Sequence, residues 1–264
     1  MNSFRLALAQ SCSGDQVQDN LDWARLQMGE AAARGAQLLV LPECILCQAK
    51  PEGIAPAARS AAEWNQLLGA LSKEHKLPAV WGGVPELRDG KVYNSSLCFD
   101  KNGASLGIYR KTHLFQLFAG EKQVDETATY AFGDGSPLLL HLGGWSFGLT
   151  ICYDLRVPEL WRRYAGADCI LNTAAFTRKT GRAHWDLLLR ARAVENQCFV
   201  AAAAQCGVHP DTGIATYGHS CVIDPWGDVQ AQLEDAPGLL IHDLSRARLD
   251  EIRGFVPSLF SRRI

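Results

Sequence analysis

Short apolar runs that alternate with amphipathic stretches, and that stop at a chemically active residue, constrain this chain more than any other feature. Residues 4–10 (FRLALAQ) read as a strand. Residues 17–34 place Leu21, Ala24, Met28, Ala31 and Ala32 near a 3.6-residue spacing, as a helix packed on one face would. Gly35 ends that helix, and residues 37–41 form a second apolar strand, closed by Pro42 and Glu43. Strand, helix, strand in this order calls for a layered α/β protein. The layout recurs downstream: residues 145–151 form an apolar strand ending at Cys152, residues 157–164 a short helix opened by Pro158, and residues 169–172 the next strand.

The remaining segments add antiparallel pairs. Residues 57–75 read as one helix with Trp64, Leu67, Leu68 and Leu71 inward, followed by a strand at 77–83. Residues 91–99 and 104–109 pair around the turn DKNG, 138–141 and 145–151 around Gly143-Gly144, and 216–224 with 229–233 around 225–227. Residues 116–134 are polar and aperiodic and read as a long loop, a kind that usually carries function once it exceeds about 15 residues. A helix at 181–196 and strands at 198–204 and 239–243 complete the body. Residues 244–264 start as a helix and end in FVPSLFSRRI, an apolar, basic tail that reads as an arm docking on the body or on a partner subunit. The hairpins exclude a purely parallel barrel, and the alternation favours two sheets with helices outside them.

Composition narrows the function classes. Lys and Arg number 26 against 28 Asp and Glu, a net charge of -2, so no electrostatic surface for nucleic acid or anionic lipid is indicated. No run approaches the roughly 18 apolar residues of a membrane span. The start, MNSFRLALAQSCSGD, enters a strand-like run without the apolar core of a signal peptide, and a cytoplasmic protein is expected. The nine cysteines are odd in number and irregularly spaced, and most lie in apolar segments, which suits reduced thiols rather than a disulfide framework. Cys44 and Cys47 form a CxxC. It has neither a second pair nor histidines at ligand spacing, so no metal or cofactor is called for.

Three chemically different groups stand at strand ends: Glu43, Lys111 and Cys152. A thiolate attacks an amide or nitrile carbon, a carboxylate takes and returns protons, and an ammonium stabilises the negative charge of the tetrahedral species. Together they fit acyl transfer in which nitrogen leaves as ammonia or amine and water hydrolyses the thioester. Two rivals stand beside this reading. Gly144-Trp145-Ser146-Phe147-Gly148 spells a nucleophile elbow, but that motif needs a helix after its serine and here an apolar strand follows. His184, His209 or His219 could partner a cysteine, since no spacing rule forbids it. Phosphate binding finds no support, because no GxxxxGK[ST] and no strand-anchored GxGxxG occurs.

LLVLPE to Glu43, YRKTHLF around Lys111 and GLTICYDLRVPEL around Cys152 resemble the three signature segments of the carbon–nitrogen hydrolase (nitrilase) superfamily. AHWDLLLRARAVENQCFVAAAAQCG and YGHSCVIDPWGDV extend the resemblance over nearly the whole chain. It implies an α/β fold of one domain, a four-layer α-β-β-α sandwich of two mixed sheets with outer helices, and a homodimer with 244–264 as an arm at its interface. It also implies Glu43 as general base and then acid, Lys111 as oxyanion stabiliser, Cys152 as nucleophile, the backbone N–H of Tyr153 as oxyanion donor, and Glu126 as a second glutamate orienting the lysine or the substrate. The look is nearest to the branch of deaminated glutathione amidase and ω-amidase. That branch hydrolyses a linear amide of a small keto acid, and Arg178, Lys179, Thr180 and His184 become candidate contacts to a substrate carboxylate. Gln116 and the stretch DTGIATY at 211–217 depart from the branch and leave the substrate open among deaminated glutathione, an ω-amide, an N-carbamoyl compound and a nitrile. A catalytically silent dimeric binding protein of the same fold is the alternative from another class.

Overall fold

Two six-stranded sheets carry the structure, a computed structural model that describes residues 2–119, 122–256 and 259. The first sheet runs β16 (Gly238–Ser245), β1 (Ser3–Gln10), β2 (Leu38–Leu41), β3 (Ala79–Arg88), β4 (Lys91–Phe99), β5 (Ser105–Arg110). The second runs β15 (Val229–Gln232), β14 (Cys221–Ile223), β11 (Phe199–Ala204), β10 (Cys169–Ala174), β9 (Trp145–Ile151), β8 (Leu139–Leu142). Each has three parallel strands, β1-β2-β3 and β9-β10-β11, edged by antiparallel ones.

Side-chain alternation decides the layers. In β1, Phe4, Leu6 and Leu8 belong to the core between the sheets, whereas Ala7 and Ala9 pack toward helices; β2 divides Leu38 and Val40 from Leu39 and Leu41 in the same way. Strands buried on both faces read as continuous apolar runs, and that is why LLVL shows no alternation. Across the interior the Phe4 ring meets that of Phe147 at 4.9 Å. Helices α1 (Val17–Ala33) and α3 (Ala61–His75) cover the first sheet through Leu21, Ala24, Met28, Trp64 and Leu68. On the second sheet, α5 (Arg178–Asn196) buries Trp185, Leu189 and Ala193. The result is the α-β-β-α sandwich of two mixed sheets.

Several elements differ from the sequence reading. The helix expected at 57–75 is α3, which starts at Ala61 because Ser60 caps it in a capping box with Glu63; a separate short helix, α2 (Pro51–Ala57), precedes it. Residues 116–134 are not a featureless loop: β6 (Gln116–Ala119) and β7 (Lys122–Asp125) form a hairpin, followed by a 3₁₀ turn at Glu126–Ala128. The pairing there is made by backbone hydrogen bonds, which a polar sequence does not announce. The strand expected at 216–224 is split into β13 (Ala215–Tyr217), paired with β12 (Cys206–Val208), and β14, with His219 at φ 59° between them. Helices α4 (Pro158–Arg162) and α6 (Arg246–Phe255) complete the order; of the C-terminal tail, residues 257, 258 and 260–264 lie outside the described residues.

Candidate active site

The carboxyl ends of β2, β9 and β10 converge with that of the edge strand β5, the end of the sheets where open α/β proteins put their chemistry. Glu43 follows β2, Lys111 follows β5, Cys152 follows β9 and Ala175 follows β10. Glu43 is 1 % exposed, and its carboxylate accepts three hydrogen bonds: Oε1 from Asn94 Nδ2 and Lys111 Nζ, both at 2.9 Å, and Oε2 from the Ala175 N–H at 2.8 Å. Its backbone carbonyl accepts from Gln205 Nε2 at 2.9 Å, a bond that crosses between the sheets. Gly83 makes room for this. It adopts φ 57°, its carbonyl accepts the Cys44 N–H, and a Cβ there would stand 2.7 Å from Glu43 Cγ.

Lys111 is equally enclosed. Besides Glu43, its ammonium reaches Glu126 Oε1 at 2.9 Å and Oε2 at 2.7 Å, while Glu126 Oε2 also accepts the Phe115 N–H at 2.7 Å. Burial opposes the lysine's charge, but the carboxylates of Glu126 and Glu43 outweigh it and hold its pKa well above the ordinary value. Burial raises the pKa of Glu126; Lys111 opposes that shift and Glu43 adds to it. Lys111 thus stands between the carboxyl groups of Glu43 and Glu126.

Cys152 is 7 % exposed and sits at φ 47°, a left-handed conformation that costs a non-glycine residue about 1–3 kcal/mol and is found where a site demands it. Burial first, then Glu43, pushes its thiol well above the ordinary value, and Lys111 pulls the other way. The resting group is therefore a thiol that needs a base. The turn after it, Cys152–Arg156, is a 3₁₀ helix. Its side chains and the start of α5 wall a recess over Cys152, lined by Phe115, Tyr153, Arg156, Phe176, Thr177 and Thr180. A second recess of about 300 Å³ is lined by Glu126 together with Cys44, Gln48, Lys50, Thr129 and Tyr130.

The structure thus brings together Glu43, Lys111, Glu126 and Cys152, with Tyr153 and Thr180 beside them. Arg178, Lys179 and Thr180 form the first turn of α5, not a loop before it, and Thr177 caps that turn by accepting the Thr180 N–H. Arg178 and Lys179 are not among the residues lining the recess. His184 stands one layer behind it: its Nδ1 is 3.2 Å from both terminal nitrogens of Arg156 and accepts from them. Arg156 itself, stacked over the Tyr153 and Phe176 rings at 5.6 and 5.2 Å, has no part in the sequence reading. Nor have Asn94, Asp154 or Gln205. Asp154 and Arg156 lie within the CYDLR signature, but Asn94 and Gln205 reach Glu43 across 51 and 162 residues, a proximity no local pattern carries.

The rival motifs find other employment. Ser146 lies inside β9, with its hydroxyl 3.0 Å from Asp168 Oδ2. His209 is bonded to the Ser13 carbonyl and Thr216 Oγ1, and His219 stacks on Tyr217 at 3.9 Å. All nine cysteines are free, and burial pushes Cys47 up to about 11.

Residues 5–254 match the family Carbon-nitrogen hydrolase, and the chain belongs to that family. It is 35 % identical to the deaminated glutathione amidase of Synechocystis sp., over 99 % of both chains. It is 37 % identical to omega-amidase NIT2 of Mus musculus, over 100 % of this chain and 96 % of that one. The C. elegans NitFhit protein superimposes with a TM-score of 0.90 at 30 % identity; it covers 100 % of this chain, which spans 65 % of that longer one. A mutant of the amidase from Nesterenkonia sp. AN1, TM-score 0.83 and 29 % identity over 98 % of this chain and 94 % of that one, carries the acetamide moiety of fluoroacetamide covalently on its active-site cysteine.

Proposed function

We propose that the protein is an amidase that hydrolyses a small, carboxylate-bearing linear amide, deaminated glutathione or a related ω-amide of a 2-keto acid, through a thioester on Cys152. One observation carries this reading. The Cys152 thiol, close to the Lys111 ammonium that Glu43 and Glu126 hold, lines a recess whose wall also presents the Arg156 cation, and that cation has no carboxylate partner among the described residues. A guanidinium pairs best with a planar carboxylate, which the substrate would supply.

The reaction follows from the positions. As the Cys152 sulfur bonds to the amide carbon, its proton passes to Glu43, and the oxygen that gains charge is met by Lys111 and the Tyr153 N–H. The carbon–nitrogen bond then breaks, Glu43 returns the proton to nitrogen, and ammonia or an amine departs. Water, deprotonated by Glu43, attacks the thioester, and the sulfur leaves as the thiol with the returned proton. Glu126 orients the lysine, and Thr180 and His184 support the carboxylate end. In the same reading the chain is one domain working as a cytoplasmic homodimer, with 244–264 as an arm at the interface, which light scattering tests directly.

The primary test is an ammonia-release assay across ω-amides of 2-keto acids, deaminated glutathione, carbamoyl compounds and nitriles. Cys152→Ala should abolish turnover while keeping the unfolding midpoint, and mass spectrometry of the wild type should trap an acyl mass on Cys152. Full turnover by Cys152→Ala would end this reading.

A further inference from the structure

We infer that Asp154, which touches neither recess nor thiol, is the positioning residue that fixes the distance between the nucleophile and the oxyanion cation. The inference rests on the roles proposed above for Cys152 and Lys111. The Asp154 side chain is fully buried and its two oxygens accept from both segments at once. Oδ2 takes the Ile151 N–H at 3.0 Å, immediately before Cys152, and the Tyr109 hydroxyl at 2.7 Å, two residues before Lys111. Oδ1 takes the His113 N–H at 2.9 Å and His113 Nδ1 at 2.8 Å, two residues after Lys111. An ionised carboxylate only accepts, so His113 carries a proton on Nδ1.

Among the described residues, these are the side-chain hydrogen bonds that join 109–113 to 151–154. Without them the two segments belong to different sheets, each anchored to its own strands. Lys111 is bonded through its N–H to the Asn94 carbonyl in the first sheet, and Cys152 extends β9 in the second. The main-chain carbonyl of Asp154 is also occupied, accepting Trp161 Nε1 at 3.0 Å, so the residue cannot shift without breaking bonds on every side. The left-handed backbone at Cys152 begins one residue after the bonded Ile151 N–H, and a strained turn persists only where its surroundings hold it. Misplacing a reacting atom by about 1 Å costs on the order of 100-fold in rate, so a residue that sets this spacing acts on turnover rather than on substrate affinity.

The test is a double-mutant cycle on turnover. Tyr109→Phe and His113→Gln each remove one bond to Asp154 and leave the carboxylate in place. Each should lower kcat by roughly 10-fold while KM stays within about 3-fold, and in an Asp154→Asn background the same changes should add less than about 3-fold, because they act through the carboxylate already lost. Should Asp154→Asn fail to fold, the Tyr109→Phe/His113→Gln pair supplies the cycle, again with less than additive losses expected. Fully additive effects, losses confined to KM, or losses that vanish once activity is normalised to folded protein would overturn the inference. Wild-type protein inactive on every amide, or a fully active Cys152→Ala, would instead overturn the functional reading, and the two failures are distinct.

Discussion

Lys111 and Glu43 form a closed ion pair: Nζ stands 2.9 Å from Oε1, and the two side chains are 0 % and 2 % exposed. Removing one partner of such a pair leaves a desolvated charge behind, at a cost of about 3–5 kcal/mol. Here the second carboxylate, Glu126 at 2.7 Å, changes that balance, because it still neutralises the lysine when Glu43 is uncharged.

Glu43→Gln should therefore fold but fail to turn over. Its amide can keep one bond to Asn94 or Lys111 yet cannot take the thiol proton, and kcat should fall about 10²–10⁴-fold. Circular dichroism melts and ammonia release, measured together, check this. A variant within 10-fold of the wild type would remove Glu43 from the proton path.

Arg156→Ala should discriminate between substrates. With the guanidinium gone, kcat/KM for an amide bearing a carboxylate should drop on the order of 100-fold, as expected for one bidentate charge-assisted contact, while a neutral amide such as propionamide should change about 3-fold or less. Equal losses on both substrates would point to collapse of the Tyr153 and Phe176 rings that flank the arginine.

Stability should fall steeply on the alkaline side. Burial raises all nine thiols above their usual 9.0, with Cys198 and Cys206 pushed up to about 12. Below pH 9 the thiols are protonated in both states and contribute no slope. Between the unfolded value and the folded one, the native protein holds protons that the unfolded chain has released, so each fully buried thiol lowers stability by about 1.4 kcal/mol per pH unit. Melting temperatures from pH 8 to 10.5 should show the decline, and replacing buried Cys198 or Cys221 by Ala should make it shallower. An unchanged slope in both variants would contradict it.

Gly83→Ala should be costly twice over. The left-handed backbone opposes any side chain by about 1 kcal/mol, and the new methyl would press on Glu43 from 2.7 Å. A loss of about 2–4 kcal/mol in stability is expected together with reduced kcat. Urea denaturation and steady-state kinetics measure the two effects separately.

The sequence by itself determined the alternation of LALA, LLVL and GLTI with amphipathic helices, and hence a layered sandwich, because burial on one face or two leaves a readable period in the apolar residues. It also determined which residues end the strands, and so named Glu43, Lys111 and Cys152. A local signal that was present but faint, the Ser60–Glu63 capping box, set the start of the expected helix at Ala61 rather than at residue 57. Only the tertiary structure decided what surrounds those three groups. Asn94, Gln205 and Ala175 fix Glu43 from distant strands, Asp154 ties two sheets together, and Arg156 rather than Arg178 faces the thiol recess. Hydrogen bonds between sheets depend on register and on which strand ends meet. Those are set by packing the whole core and not by any window of neighbouring residues.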